Sequence, residues 1–564
     1  MDGVSVCTVS VRVTNGLITG KVDTFNGTKL NVFLGIPYAK PPVGALRLKK
    51  PVPVNRSWTQ PLDATQWPKA CVHQKIHQNY FNVDMNEDCL YLNIWSPALP
   101  NSTETTALKP VMFWIHGGGL MWGSAVEKWY SGHVIAAMGD VVVVTFNYRL
   151  STFGLLYTGA KHSSGAPGNM ALWDQALALE WVVDNIANFG GDPTRITVFG
   201  ESAGAISTSL HVVSPITRHL FQRAIVMSGA FTNAVCNANA SERLWYERAV
   251  AIGCDVGDKT GKTSYEFTPE MIKCMRGLSA DDLLKAKDLT YSPCELDFMI
   301  DGHFLPHNPI EMLKSGDHKK DMDLLIGTVV NEGSFLFPIM IDPVQFNKRH
   351  PKHMTYAEAR EYAIRLADSL QSYLTHVSHR PPVGDIRIDG QQVADIYLNG
   401  LSNATKSEVF MQRMGQMYGD FRLGCPNKLF ARYIHSGQPN SRVYEYYYSA
   451  KFAAGDQLFC ADWMGVCHFD DIYIVFGLPF QEYDRYGRPE RHISAQMIET
   501  FTRFAWTGRP ARLSGADWPQ YYTIAGNTVI APYYEFSVEP KVDTNFGLNV
   551  KSVECEHLWY QYLN

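Results

Sequence analysis

The stretch ITVFGESAGA, residues 196–205, constrains the fold more than any other part of the chain. Ile196 to Phe199 are β-branched or aromatic and read as a strand. Gly200 breaks the run, and AISTSLHVV after Gly204 reads as a helix. A strand that turns directly into a helix is the building unit of an α/β sheet, with Ser202 at the strand's carboxyl end. In an open sheet that edge is where ligands bind. Upstream, VMFWI (111–115) and VVVVTF (141–146) have the length and apolarity of buried strands. Leu172, Ala176, Leu179, Val183 and Ile186 recur at helical spacing and are closed by Gly190 and Gly191. VSVCTVSVRV (4–13) alternates as a strand, and Ile493, Met497, Phe501 and Phe504 predict a late amphipathic helix ending at Gly508. The expected class is α/β: a large, mostly parallel twisted sheet flanked by helices, in one domain over 1–564. Residues 260–420, more helical, irregular and charged, are expected to form a subdomain over the sheet edge.

Charge and composition exclude several roles. Fifty basic residues against 55 acidic ones leave a net charge of −5, with no basic field to attract a phosphate backbone. No window approaches the roughly 18 consecutive apolar residues of a membrane helix. Eleven cysteines occur without a paired CxxC zinc pattern. Asn26, Asn55, Asn101, Asn239 and Asn403 head glycosylation sequons. The N-terminal residues lack the charged start and apolar block of a signal peptide. The C-terminal WYQYLN carries no retention tetrapeptide or anchor tail. The expectation is a secreted chain in mature or truncated form, without nucleic-acid partners and able to form oligomers.

Ser202 between two glycines has the pattern of a nucleophile elbow, in which a strained serine requires small neighbours. A serine hydroxyl is a poor nucleophile near neutral pH and needs a base within hydrogen-bond reach. In chain order the acid and then the histidine follow the serine. His468, in WMGVCHFDD, is a candidate base carried on a loop before the apolar run IYIVFGLPF. Glu332, in a turn after the buried run LLIGTVV, is a candidate acid, and Asp420 and Asp456 are rivals that spacing does not separate. WIHGGGL (114–120) ends a strand in three glycines. There the N–H groups of Gly118 and Gly119 can converge with that of Ala203 on a developing oxyanion.

Taken together, these motifs resemble the type-B carboxylesterase and cholinesterase family of α/β-hydrolases over nearly the whole chain. FLGIPYAKPPVGALRL (33–48), EDCLYLNIW (87–95), FNYRL (146–150), APGNMALWDQALALEWV (166–182) and FGGDPTRITVFGESAG (189–204) carry the resemblance with WIHGGG. It implies Ser202, Glu332 and His468 as triad, Gly118, Gly119 and Ala203 as oxyanion hole, and no metal or organic cofactor. It also implies disulfides Cys71–Cys89, Cys254–Cys274 and Cys425–Cys555, and buried ion pairs of Arg47 with Glu87 and of Arg149 with Asp174 or a neighbour. Cys7, Cys236, Cys294, Cys460 and Cys467 are left over; a Cys460–Cys467 pair is conceivable, but free buried thiols are expected there. Glu201 stands where it tunes the field around His468 or helps place a water.

The chain departs from true cholinesterases at the substrate. The segment between Cys71 and Cys89 contains no tryptophan to hold a quaternary ammonium, leaving Tyr80, Phe81 or Phe335 as weaker substitutes. SGAFTNAVCNA (228–238) also lacks the tryptophan expected in a cholinesterase acyl pocket. Glu201, Val235 and Cys294 join those aromatics as pocket candidates, and Glu201 rather than Gln counts against the juvenile hormone esterase branch. The resulting expectation is a serine carboxylic ester hydrolase acting on small or lipophilic esters. A cholinesterase and a catalytically silent adhesion protein are the alternatives.

Overall fold

β-Branched and aromatic runs form the centre of the fold, as their burial requires. The computed structural model describes residues 7–55, 57–74, 83–100, 107–231, 235–255, 265–285, 294, 297–377, 387–437, 440–452, 460–513, 515–524, 528–538 and 545–563. Tyr80, Phe81, Asn101 and Asp456 lie outside the described residues. The chain folds as two compact units, one of residues 1–223 and 234–308, the other of 224–233 and 309–564.

In the first unit, strands β1 (Thr8–Val13), β2 (Gly16–Phe25), β3 (Thr28–Pro37) and β4 (Tyr91–Ser96) pair antiparallel in sequence order. The pairing then becomes parallel: β5 (Lys109–Ile115) lies between β6 (Val142–Phe146) and β7 (Gly191–Glu201). All of β6 is buried, as expected of a strand covered on both faces. Helix α1 (Met170–Asn185) occupies the predicted span and ends in a 3-10 turn at Gly190, whose φ is 85°. Its face is wider than periodicity predicts. Val183 is half-exposed, while Asp174, Gln175 and Trp181 are buried with Leu172, Ala176 and Leu179. The reason is an ion pair on the helix's other side. Arg149 Nε and Nη2 donate to Asp174 at 2.8 and 2.7 Å, and the Arg149 N–H adds a third bond at 3.0 Å. Arg47 grips Glu87 similarly at 2.6 and 2.9 Å and also donates to the carbonyls of Arg276 and Leu278.

In the second unit, β8 (Arg223–Met227) neighbours β9 (Asp323–Val329). β9 runs parallel to β10 (Val443–Tyr448), and β10 parallel to β11 (Pro532–Phe536). The late helix spans Arg488–Thr507 and stops at Gly508 in the left-handed conformation, with Ile493, Met497, Phe501 and Phe504 all buried.

The structure holds bridges Cys71–Cys89, Cys254–Cys274 and Cys425–Cys555. Two further bridges are present, and the one at Cys460 corrects the expectation of free buried thiols there. Cys236 bonds Cys294, and Cys460 bonds Cys467, so neither pair exists as thiols. Cys236 sits on a two-residue strand paired with Phe298–Met299, a tertiary contact that brings it to a partner 58 residues away. Cys7 is exposed and the one free cysteine among the described residues.

Candidate active site

β7 ends at Glu201, and helix α2 (Ala203–Val213) begins one residue later, leaving Ser202 as the corner with φ 57° and ψ −123°. That backbone region is costly for any residue with a Cβ and persists only where the surroundings enforce it. They do so through close packing. A Cβ on Gly204 would collide with the Ile115 carbonyl, and one on Gly200 would lie 2.5 Å from the Gly204 backbone. Ser202 stays half-exposed between buried neighbours, so the corner presents its hydroxyl.

The end of β5 runs beside this corner. Gly118 (φ 108°) and Gly119 (φ 61°) adopt conformations that L side chains rarely take, and both remain half-exposed. Ala203 is the first residue of α2, so its N–H belongs to the helix's unsatisfied N-terminal donors. Gly117 is bare where the Glu201 carboxylate passes: a Cβ there would lie 2.6 Å from Glu201 Oε2 and 3.1 Å from Ser202 Cβ. Glu201 is fully buried, and its charge adds to burial in raising the phenols of Tyr130 and Tyr148. His116 stacks on Tyr148 with ring centroids 4.3 Å apart, and burial pushes it down to about 4, so it is neutral near pH 7.

In the other unit, His468 Nδ1 lies 2.7 Å from Glu332 Oε2, with Glu332 fully buried and His468 3% exposed. The second carboxylate oxygen, Oε1, accepts the Val329 N–H at 2.9 Å. The Asn331–Gly333 turn after β9 wedges against the helix Ser407–Gly419. A Cβ on Gly419 would lie 2.6 Å from Glu332 Cβ, and one on Gly333 would strike the Gly415 carbonyl. Asp420, the rival acid, is engaged elsewhere: it accepts from Lys551 Nζ at 2.6 Å and Tyr397 Oη at 2.9 Å.

Sequence reasoning missed Asp471 behind His468. Burial, then the Glu332 charge, pushes this carboxyl up to about 7, and it accepts from Tyr446 Oη at 2.9 Å. A carboxyl held above its unfolded value of about 3.9 stabilises the fold at low pH and loses that contribution as pH rises through about 7. Asp471→Asn keeps an acceptor for Tyr446 and removes the ionisation. Thermal scans should find the variant more stable than wild type near pH 8, with the gap closing toward pH 5. A variant less stable than wild type near pH 8 would overturn this account.

Val235 is half-buried on the two-residue strand that pairs with Phe298–Met299. Cys294 is bonded to Cys236, the neighbour of Val235. Phe335, 8% exposed, follows the Glu332 turn in the other unit. Asn26, Asn55, Asn239 and Asn403 are exposed. Among the described residues no helix is long and apolar enough to cross a membrane.

Comparison with known proteins agrees with these motifs. Residues 8–554 match the model of the carboxylesterase family. An acetylcholinesterase of Leptinotarsa decemlineata is 34% identical across 91% of this chain and 80% of its own length. A cholinesterase of Mus musculus is 33% identical across 91% and 81%. Acetylcholinesterase-1 of Trittame loki is 33% identical across 98% and 96%. Strand–elbow–helix geometry and a match along nearly the whole chain together lead to one conclusion: the chain belongs to the carboxylesterase family, has the α/β-hydrolase fold with its large, mostly parallel sheet flanked by helices, and is a serine-type carboxylic ester hydrolase.

Proposed function

We propose that Ser202 Oγ attacks the ester carbonyl while His468 takes its proton and Glu332 orients the imidazolium. The N–H groups of Gly118, Gly119 and Ala203 stabilise the tetrahedral oxyanion, the alcohol departs, and a water activated by His468 releases the acid. The observation that carries this reading is the left-handed backbone at Ser202, half-exposed at the head of a helix beside bare glycines. The buried Glu332–His468 pair supports the assignment of base and acid. Removing the base should lower kcat by about 10²- to 10⁴-fold, so a fully active His468→Gln variant counts against His468 as base.

We infer that the preferred substrates are neutral small or lipophilic esters, with access shaped by the helical region 260–420. The tryptophan-free segments 71–89 and 228–238 support this reading. The acetylcholinesterase and cholinesterase relatives favour choline esters as the second reading. Comparing kcat/KM for a phenyl ester with that for a choline thioester decides between them. The neutral ester should exceed the choline thioester by about tenfold or more, a difference of about 1.4 kcal/mol in transition-state binding. A choline preference overturns the neutral-ester reading. Five bridges favour an oxidising, extracellular setting, with glycans at Asn26, Asn55, Asn101, Asn239 and Asn403.

A further inference from the structure

His468 leaves its loop through a strained exit. Phe469, immediately after it, has φ 86°, and Gly465, three residues before, has φ 78°. A phenylalanine holds such a backbone only where neighbouring groups over-determine it. Three anchors do so here.

The first is Asn331, the residue before the acid Glu332. Its N–H donates to the Val466 carbonyl at 2.8 Å, and its Oδ1 accepts the Val466 N–H at 3.0 Å. The side chain thus acts as a second strand edge and extends the ladder to an isolated parallel bridge between Asn331 and Cys467. The second is Asp470, which accepts the Cys467 N–H at 2.9 Å and returns its own N–H to the Cys467 carbonyl at 3.0 Å. The third is covalent: Cys467 Sγ is bonded to Cys460, seven residues back, across the short turn Asp462–Met464. Both main-chain polar groups and the side chain of the residue before His468 are therefore held.

The bridge's span sets it apart. The other four bridges close separations of 18, 20, 58 and 130 residues, whereas this one closes 7. Constraint of the unfolded chain grows with loop length, so this bridge contributes least of the five to global stability by that route. Its effect is local, on one loop, and that loop carries the imidazole.

We propose that the Cys460–Cys467 bridge and Asn331 form a positioning device that holds His468 in register with Glu332. The inference rests on the reading of His468 as base. Catalysis is steep in such geometry, and a displacement of about 1 Å can cost about a hundredfold in rate. Both residues act through His468 and need not touch the ester.

The test compares wild type, Cys460→Ala/Cys467→Ala, Asn331→Ala, the combined triple variant and His468→Gln, each as the full chain, with a neutral phenyl ester. The bridge-free variant should lose about ten- to hundredfold in kcat with KM within about twofold, because binding is intact and proton transfer is misaligned. Asn331→Ala should show the same split. The triple variant should lose less than the product of the separate losses, since both changes release one loop. Folded, bridge-free protein with wild-type kcat overturns the inference, as does a loss confined to KM. If the bridge-free chain does not fold, Asn331→Ala, which leaves every disulfide intact, decides by the same kcat criterion. His468→Gln separates the two claims: full activity in that variant removes the reading of His468 as base, whereas an inactive His468→Gln beside a normal bridge-free enzyme removes only the positioning device.

Discussion

Ser202→Ala should lower kcat by about 10⁴- to 10⁶-fold, the residual rate coming from the proposed oxyanion donors and substrate binding. The magnitude follows from the loss of the covalent route: without the hydroxyl only water remains to attack, and it is not held at the corner. The folded protein should survive the change. Alanine faces the same backbone cost at φ 57° and ψ −123° as serine, so the thermal midpoint should barely move. An organophosphate that labels the wild-type chain once should leave the variant unmodified, as intact-mass measurement would show. Retained labelling, or a loss of only a few-fold in rate, would place the nucleophile elsewhere.

Asp174→Ala has the largest expected effect on stability. It leaves Arg149, 3% exposed, without the carboxylate that accepts two hydrogen bonds from its guanidinium and one from its main-chain N–H. Stranding one partner of such a pair costs about 3–5 kcal/mol. Little soluble protein and a sharply lower thermal midpoint are expected, read by a thermal scan and by recovery of folded chain. Replacing both partners with apolar residues of similar volume should restore much of the loss, because no buried charge is then left alone. A stable Asp174→Ala protein would mean that water reaches the guanidinium.

The parts of the fold legible in the sequence are those set by local chemistry. Ile196–Phe199 followed by Gly200 and Gly204 announces a strand, a corner and a helix, because each residue's backbone preference agrees with its neighbours'. The Gly508 stop was equally readable. What escaped depends on partners distant in sequence. Val183 stands at the right helical spacing but on a helix that Arg149 grips from another side, and periodicity alone does not register a second buried face. Cys236 with Cys294, 58 residues apart, needed the tertiary path of the chain. Spacing left Glu332, Asp420 and Asp456 equivalent. In the structure Asp420 is occupied by Lys551 and Tyr397, whereas Glu332 lies on His468. The spacing of Gly415 and Gly419, which seats the Glu332 turn, was an overlooked local signal.

The stacking of His116 on Tyr148 also has a kinetic consequence. An imidazole kept proton-free down to about pH 4 adds no change of charge beside the glycine loop across the acidity range in which an esterase is assayed. A bend in the rate curve above that range therefore does not come from His116.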